Sequence, residues 1–137
     1  MAKGFCPRHG GGHACTCAMG NLYRFIEPVL LLMLRDKGHS YGYELSENLG
    51  EYALTDAQIE RAALYRTLRT LEENGHVTST WDTDTAGPAR RVYSLTDSGL
   101  EHLQEWSEVM GRLAGAMEAF SERVAKPGAN AQLEHLQ

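Results

Sequence analysis

At 137 residues, 42% hydrophobic and 23% charged, the chain is long enough to bury the core of one domain with an appended arm or helix. Its longest apolar run, Val29 to Leu34, lies between Glu27 and Arg35 and is far too short to cross a bilayer, so no membrane partner is expected. The formal charge of -5 argues against a nucleic-acid partner only until it is mapped: residues 96–137 hold three basic and seven acidic side chains, residues 55–95 five basic and six acidic.

All five basic residues of that middle segment are arginines, Arg61, Arg66, Arg69, Arg90 and Arg91, and arginine's planar fork suits phosphates and guanine edges better than lysine's point charge. The N-terminus lacks the basic stretch and apolar run of a secretory leader, so a cytoplasmic location is expected. The three cysteines, Cys6, Cys15 and Cys17, all fall in the first seventeen residues, which points to a local site rather than a disulfide-stapled domain.

In chain order, residues 1–20 read as an irregular arm, rich in glycine and without an apolar period. "CPRHGGGHACTC" places Cys6, His9, His13, Cys15 and Cys17 within twelve residues. Thiolate and imidazole are the ligands zinc prefers, and three cysteines with one histidine would complete a tetrahedral site. The spacing is not that of paired CxxC knuckles. Other soft metals, a Cys-x-Cys redox sensor and an arm whose cysteines have no role all stay open.

Residues 21–95 read as one domain. "NLYRFIEPVLLLMLRDKG" predicts a helix with a wide apolar face ending at Lys37–Gly38, with Pro28 marking either a kink or a nearby start. "HSYGYELSENLGEY" predicts a second helix, N-capped by Ser40 and stopped by Gly50. A third helix ends at Gly75. Its start is open, because Thr55 and Gln58 form a capping-box pattern, whereas a start at Glu60 leaves Gln58 and Ile59 for a short strand.

On that third helix, Leu64, Leu68 and Leu71 are expected to face inward, leaving Arg61, Tyr65, Arg66 and Arg69 outward. "HVTSTW" and "RRVYSL", parted by "DTDTAGPA", then read as a hairpin with a polar tip. Thr96 is expected to cap a long helix over residues 96–125 whose apolar positions, Leu103, Trp106, Met110, Leu113, Met117, Phe120 and Val124, step by three and four for three heptads. Such a seam calls for a partner helix, and a second copy is the expected source. Residues 126–137 read as a flexible tail.

The expected fold is thus mainly α with a small β-wing: a winged helix-turn-helix with a long C-terminal dimerisation helix. In that order of elements the third helix can enter a major groove of double-stranded DNA while Arg90 and Arg91 on the wing reach phosphates or the minor groove. A polar helix face can also be merely solvated, with Glu72 and Glu73 neutralising part of it. Two other classes compete. An enzyme finds no support, since His39, His76 and His102 are scattered and no nucleophile motif or phosphate-binding glycine loop appears. A winged helix that binds only protein would ignore DNA altogether.

Three stretches, "VLLLMLRDKGHSYGYEL", "ALYRTLRTLEENGHVTSTW" and "GPARRVYSLTDSGLEHL", resemble the PadR family of bacterial transcriptional regulators, over roughly residues 22 to 124. The resemblance implies a homodimeric repressor that releases its operator when an effector binds. It implies that Tyr43 stands at the start of the second helix and Tyr65 near the DNA backbone. Arg66 stands where the family often has proline, which adds a DNA contact of this chain's own. Short members bind flat aromatic effectors between subunits on a tryptophan of the C-terminal helix, so Trp106, with Met110 after it, is either that platform or dimer core.

Overall fold

The run Val29–Leu34 is apolar on every side, which a helix sustains only at the centre of a core. In the computed structural model, which describes residues 25–54, 59–84 and 87–129, this run is the middle of α1 (Ile26–Lys37). Val29, Leu30, Leu31, Met33 and Leu34 are all buried. Pro28 is the third residue of the helix, in the first turn, where its missing N–H would have had no intrahelical partner, so the helix starts close to it, one of the two alternatives the sequence left open. Gly38, at a φ of 81°, closes α1 by donating its N–H to Leu34 O.

Around α1 stand β1 (His39–Tyr41), α2 (Gly42–Tyr52), α3 (Arg61–Glu73), β2 (Val77–Asp82) and β3 (Arg90–Leu95). The three strands form one antiparallel sheet in the order β1-β3-β2. Leu45 and Leu49 of α2, Leu64, Leu68 and Leu71 of α3, Val77 and Tyr93 complete the core against α1. Among these, the three α3 leucines are the inward stripe expected from the sequence.

Several local expectations are corrected. Ser40 does not cap α2: it lies in β1, is 2% exposed, and faces the core side opposite Tyr93, while α2 starts after Tyr41. The hairpin is therefore a three-stranded sheet, because the segment after Gly38 pairs with β3 before the next helix begins. The second helix runs past Gly50 to Tyr52; glycine weakens an exposed helix by only about 1 kcal/mol and does not force an end. The third helix begins at Arg61 after Glu60, and Ile59 is not in a strand; the Thr55–Gln58 capping pattern lies outside the described residues.

The end of α3 is as the sequence indicates. Gly75, at a φ of 80°, donates its N–H to Glu72 O, and His76 donates to Leu71 O. This pair of bonds satisfies the last helix carbonyls and turns the chain into β2, in a conformation only glycine adopts cheaply.

Thr96 caps α4 (Asp97–Ala125): its Oγ1 accepts from the Gly99 N–H at 3.0 Å and donates to Gly75 O at 2.6 Å. The chain divides into two units, one ending at Leu103 and one beginning at Gln104. Gly99 and Leu103, in the first turns of α4, are buried in the first unit. In the second, Leu113, Met117, Phe120 and Val124 are exposed, Phe120 by 70%. Among the described residues, no helix is long and apolar enough to cross a membrane.

Candidate nucleic-acid interface

Helix α3 carries its charges against its own dipole. Arg61 occupies its first position and Glu72 and Glu73 its last two, whereas a helix is stabilised by anions at its N-terminus and cations at its C-terminus. Departures from such local rules concentrate at functional or strained sites. Arg61, Arg66 and Arg69 are exposed, and among the described residues none of them forms an ion pair. Thr67 and Thr70 return their hydroxyls to the helix, donating to Ala63 O and Arg66 O, and so leave the outer face to the arginines.

Tyr65 sits between the buried stripe and this outer face, half-buried. Its ring lies against Gly42, where an added Cβ would come within 2.6 Å of Cε1 and 3.1 Å of the hydroxyl. The ring is thus placed by the start of α2; the residue after Gly42, Tyr43, is 43% exposed.

The wing separates two arginines that are adjacent in sequence. Side chains alternate across a strand, so Arg90, opposite Asp82, and Arg91, opposite Trp81, leave β3 on different faces. Arg90 donates from Nη1 to the Tyr43 hydroxyl at 3.2 Å and spreads over the rings of Tyr41 and Tyr43, which are themselves stacked 5.9 Å apart. Below it the Tyr41 hydroxyl donates to Asp82 Oδ2 at 2.5 Å. That bond lowers the Asp82 carboxyl from its ordinary range, helped by the Asp84 N–H, and raises the Tyr41 hydroxyl, whose proton is held.

On the other face Arg91 pairs with Glu72 Oε1 at 2.9 Å, donates from Nε to Ser79 Oγ at 2.8 Å, and lies over Trp81 and Tyr93. From the sequence Arg91 is expected among the DNA contacts and Glu72 to neutralise part of the basic face; in the structure these two meet each other. Burial, ahead of the opposing effect of Arg91, raises the Tyr93 hydroxyl.

Two features are invisible to sequence spacing. Tyr41 enters the site only because β1 pairs with β3. His76 and His102, scattered in the sequence, stack with centroids 4.1 Å apart; His76 Nδ1 meets Ser98 Oγ at 3.0 Å, and His102 Nε2 meets Glu27. His39 stands apart on β1. Cys6, His9, His13, Cys15 and Cys17 lie outside the described residues, and among the described ones no three His, Cys, Asp or Glu side chains gather as a metal site. Trp106 and Met110 are partly exposed on α4, in the second unit.

Comparison with known proteins agrees with this architecture. The family model described as "Transcriptional regulator PadR-like family" matches residues 30–105. A PadR family transcriptional regulator from Eggerthella lenta is 28% identical, with a TM-score of 0.60 over 77% of this chain and 88% of its own. A PadR-like transcriptional regulator from Bacillus cereus is 26% identical, with a TM-score of 0.60 over 72% and 93%. A transcriptional regulator from Clostridium thermocellum is 26% identical, with a TM-score of 0.62 over 71% and 90%. An uncharacterized protein from Lysinibacillus sphaericus is 27% identical over 61% of this chain and 80% of its own. With more than half its length matched by the family model, the chain belongs to the PadR-like family of transcriptional regulators, which are non-enzymatic DNA-binding proteins.

Proposed function

We infer that this regulator acts as a cytoplasmic homodimer that represses transcription by holding double-stranded operator DNA and lets go when a small aromatic effector binds. The observation that carries the DNA-binding face is α3 itself. Leu64, Leu68 and Leu71 anchor one side, while Arg61, Arg66 and Arg69 project from the rest with no carboxylate partner among the described residues. Arg66 and Arg69 reach base edges and phosphates in the major groove, and Tyr43, Tyr65 and Arg90 meet the backbone beside it.

The second copy is supported by the exposed stripe Leu113, Met117, Phe120 and Val124, with a shallow groove between Ala116, Ala119, Phe120, Arg123 and Val124. A stripe of this kind at heptad spacing is closed by an equivalent helix. Trp106 and Met110 belong to the same seam and serve either as the effector's platform or as part of the dimer core. The Cys6, His9, His13, Cys15 and Cys17 arm is read as a second sensor, either for zinc or another soft metal or for redox state, because all three cysteines and two histidines share twelve residues. Metal content that is equal in the parent and in a Cys15→Ser/Cys17→Ser variant removes the metal part.

The DNA-binding face is tested by selecting bound duplexes from a random pool and repeating the gel shift with Arg66→Ala/Arg69→Ala. The parent should select a sequence and bind it with strong salt dependence, and the variant should lose it. A parent that binds every duplex alike, or none, leaves the alternative of a winged helix used only for protein contacts.

A further inference from the structure

Glu72 near the end of α3, Ser79 on β2 and Arg91 on β3 close a ring of polar contacts. Arg91 Nη2 meets Glu72 Oε1 at 2.9 Å, Arg91 Nε donates to Ser79 Oγ at 2.8 Å, and the Ser79 hydroxyl donates to Glu72 Oε2. The guanidinium is also covered by aromatic rings, its carbon 5.6 Å from the centroid of Trp81 and 6.0 Å from that of Tyr93. Every contact of the ring joins a different pair of elements, so together they tie the recognition helix to both strands of the wing.

Arg90 is placed differently. It rests on the neutral faces of Tyr41 and Tyr43 and forms no ion pair among the described residues. Asp82, opposite it on β2, accepts from the Tyr41 hydroxyl and attracts Arg90 only at longer range, whereas Arg91 is paired directly with Glu72. A cation contributes to the salt dependence of DNA binding by neutralising a phosphate and releasing the counterions condensed on it. A cation already neutralised by a carboxylate releases none unless it first breaks its own pair.

We propose that Arg91 is a positioning residue that sets the angle between the recognition helix and the wing through Glu72 and Ser79, and that Arg90 alone supplies the wing's phosphate contact. This rests on the reading of α3 and the wing as the DNA-binding face. Glu72 is then part of the device rather than a stray acid on a basic surface. Its carboxylate holds the fork of Arg91 where lysine, with one point charge and no fork, would not reach both partners.

The test measures affinity against salt concentration for a duplex selected by the parent protein, with unfolding midpoints recorded for every variant. Arg90→Gln should flatten the slope of log K against log salt by about 0.9 per subunit, about 1.8 for a dimer on two half-sites, the share of one phosphate at each wing. Arg91→Gln should weaken binding about equally at every salt concentration and leave the slope as in the parent. Arg91→Lys should be no better than Arg91→Gln, since it keeps the charge and loses the fork. Without DNA, Glu72→Gln and Arg91→Gln should lower the midpoint, and the double variant no further than the worse single one. A slope flattened by Arg91→Gln as much as by Arg90→Gln, or full rescue by lysine, overturns the proposal. So do strictly additive midpoint losses, which are read whether or not any duplex binds. A parent that binds no duplex while the midpoints are coupled refutes the DNA-binding face and leaves the strut standing.

Discussion

The ring of Tyr65 lies so close to Gly42 that a Cβ added there would be 2.6 Å from Cε1. The first residue of α2 thereby decides where the tyrosine of α3 sits. Gly42→Ala should push the ring aside rather than move the backbone, because the contact is with the far end of a side chain. The expected cost in stability is modest, about 1 kcal/mol or less, as alanine's better helix propensity offsets part of the crowding. Affinity for selected DNA should fall more than the thermal midpoint suggests. An unchanged affinity would show that the position of Tyr65 does not matter to binding.

Thr96 bonds in two directions, to Gly99 N–H and to Gly75 O. Thr96→Ala removes the cap of α4 and a bond to the turn after α3 together. A loss of about 1–2 kcal/mol is expected in urea unfolding. Thr96→Ser keeps the hydroxyl and should recover most of it.

The Tyr41–Asp82 bond has a pH signature. Asp82 is lowered in the fold, so its contribution is present above the ordinary carboxylate range and is lost as pH falls through the lowered value. Tyr41 is raised, so its contribution is present below the ordinary tyrosine range and is lost as pH rises through the raised value. Between those limits Tyr41→Phe should bring the Asp82 carboxyl back toward 3.8, read by carbon-detected NMR titration. No movement would mean that the Asp84 N–H and the Arg90 charge, and not the tyrosine, hold it down.

Phe120 and Met117 lie on the exposed stripe of α4. Placing charge there with Met117→Glu/Phe120→Glu should turn a dimer into a monomer in sedimentation, and DNA affinity should fall steeply because two half-sites are no longer held together. A parent that already sediments as a monomer at micromolar concentration would end the dimer reading.

Much of the fold is legible from residue spacing alone. Leu64, Leu68 and Leu71 define the inner face of α3, the glycine at 75 ends it, the alternation of "HVTSTW" and "RRVYSL" makes the strands, and Thr96 opens α4. Each of these rests on interactions within a few residues of the chain, and such short-range chemistry is written in the local pattern. The wing motif and the α3 motif also carry enough of the family pattern to indicate the fold.

Where spacing fails, the deciding contact joins residues distant in sequence. Ser40 has the chemistry of a helix cap, yet pairing of its segment with β3 makes it a buried strand residue, since a strand partner satisfies more backbone groups than one cap. Arg90 and Arg91 are equivalent in composition. Only the packing of α3 beneath one face of the wing gives Arg91 a carboxylate and leaves Arg90 on two tyrosines. The sequence by itself determined which side chains could meet DNA, through the count and kind of cations it offers. Which of them remain electrically free to do so was decided by tertiary structure, because neutralisation depends on distances of a few ångströms between elements that the order of residues does not state.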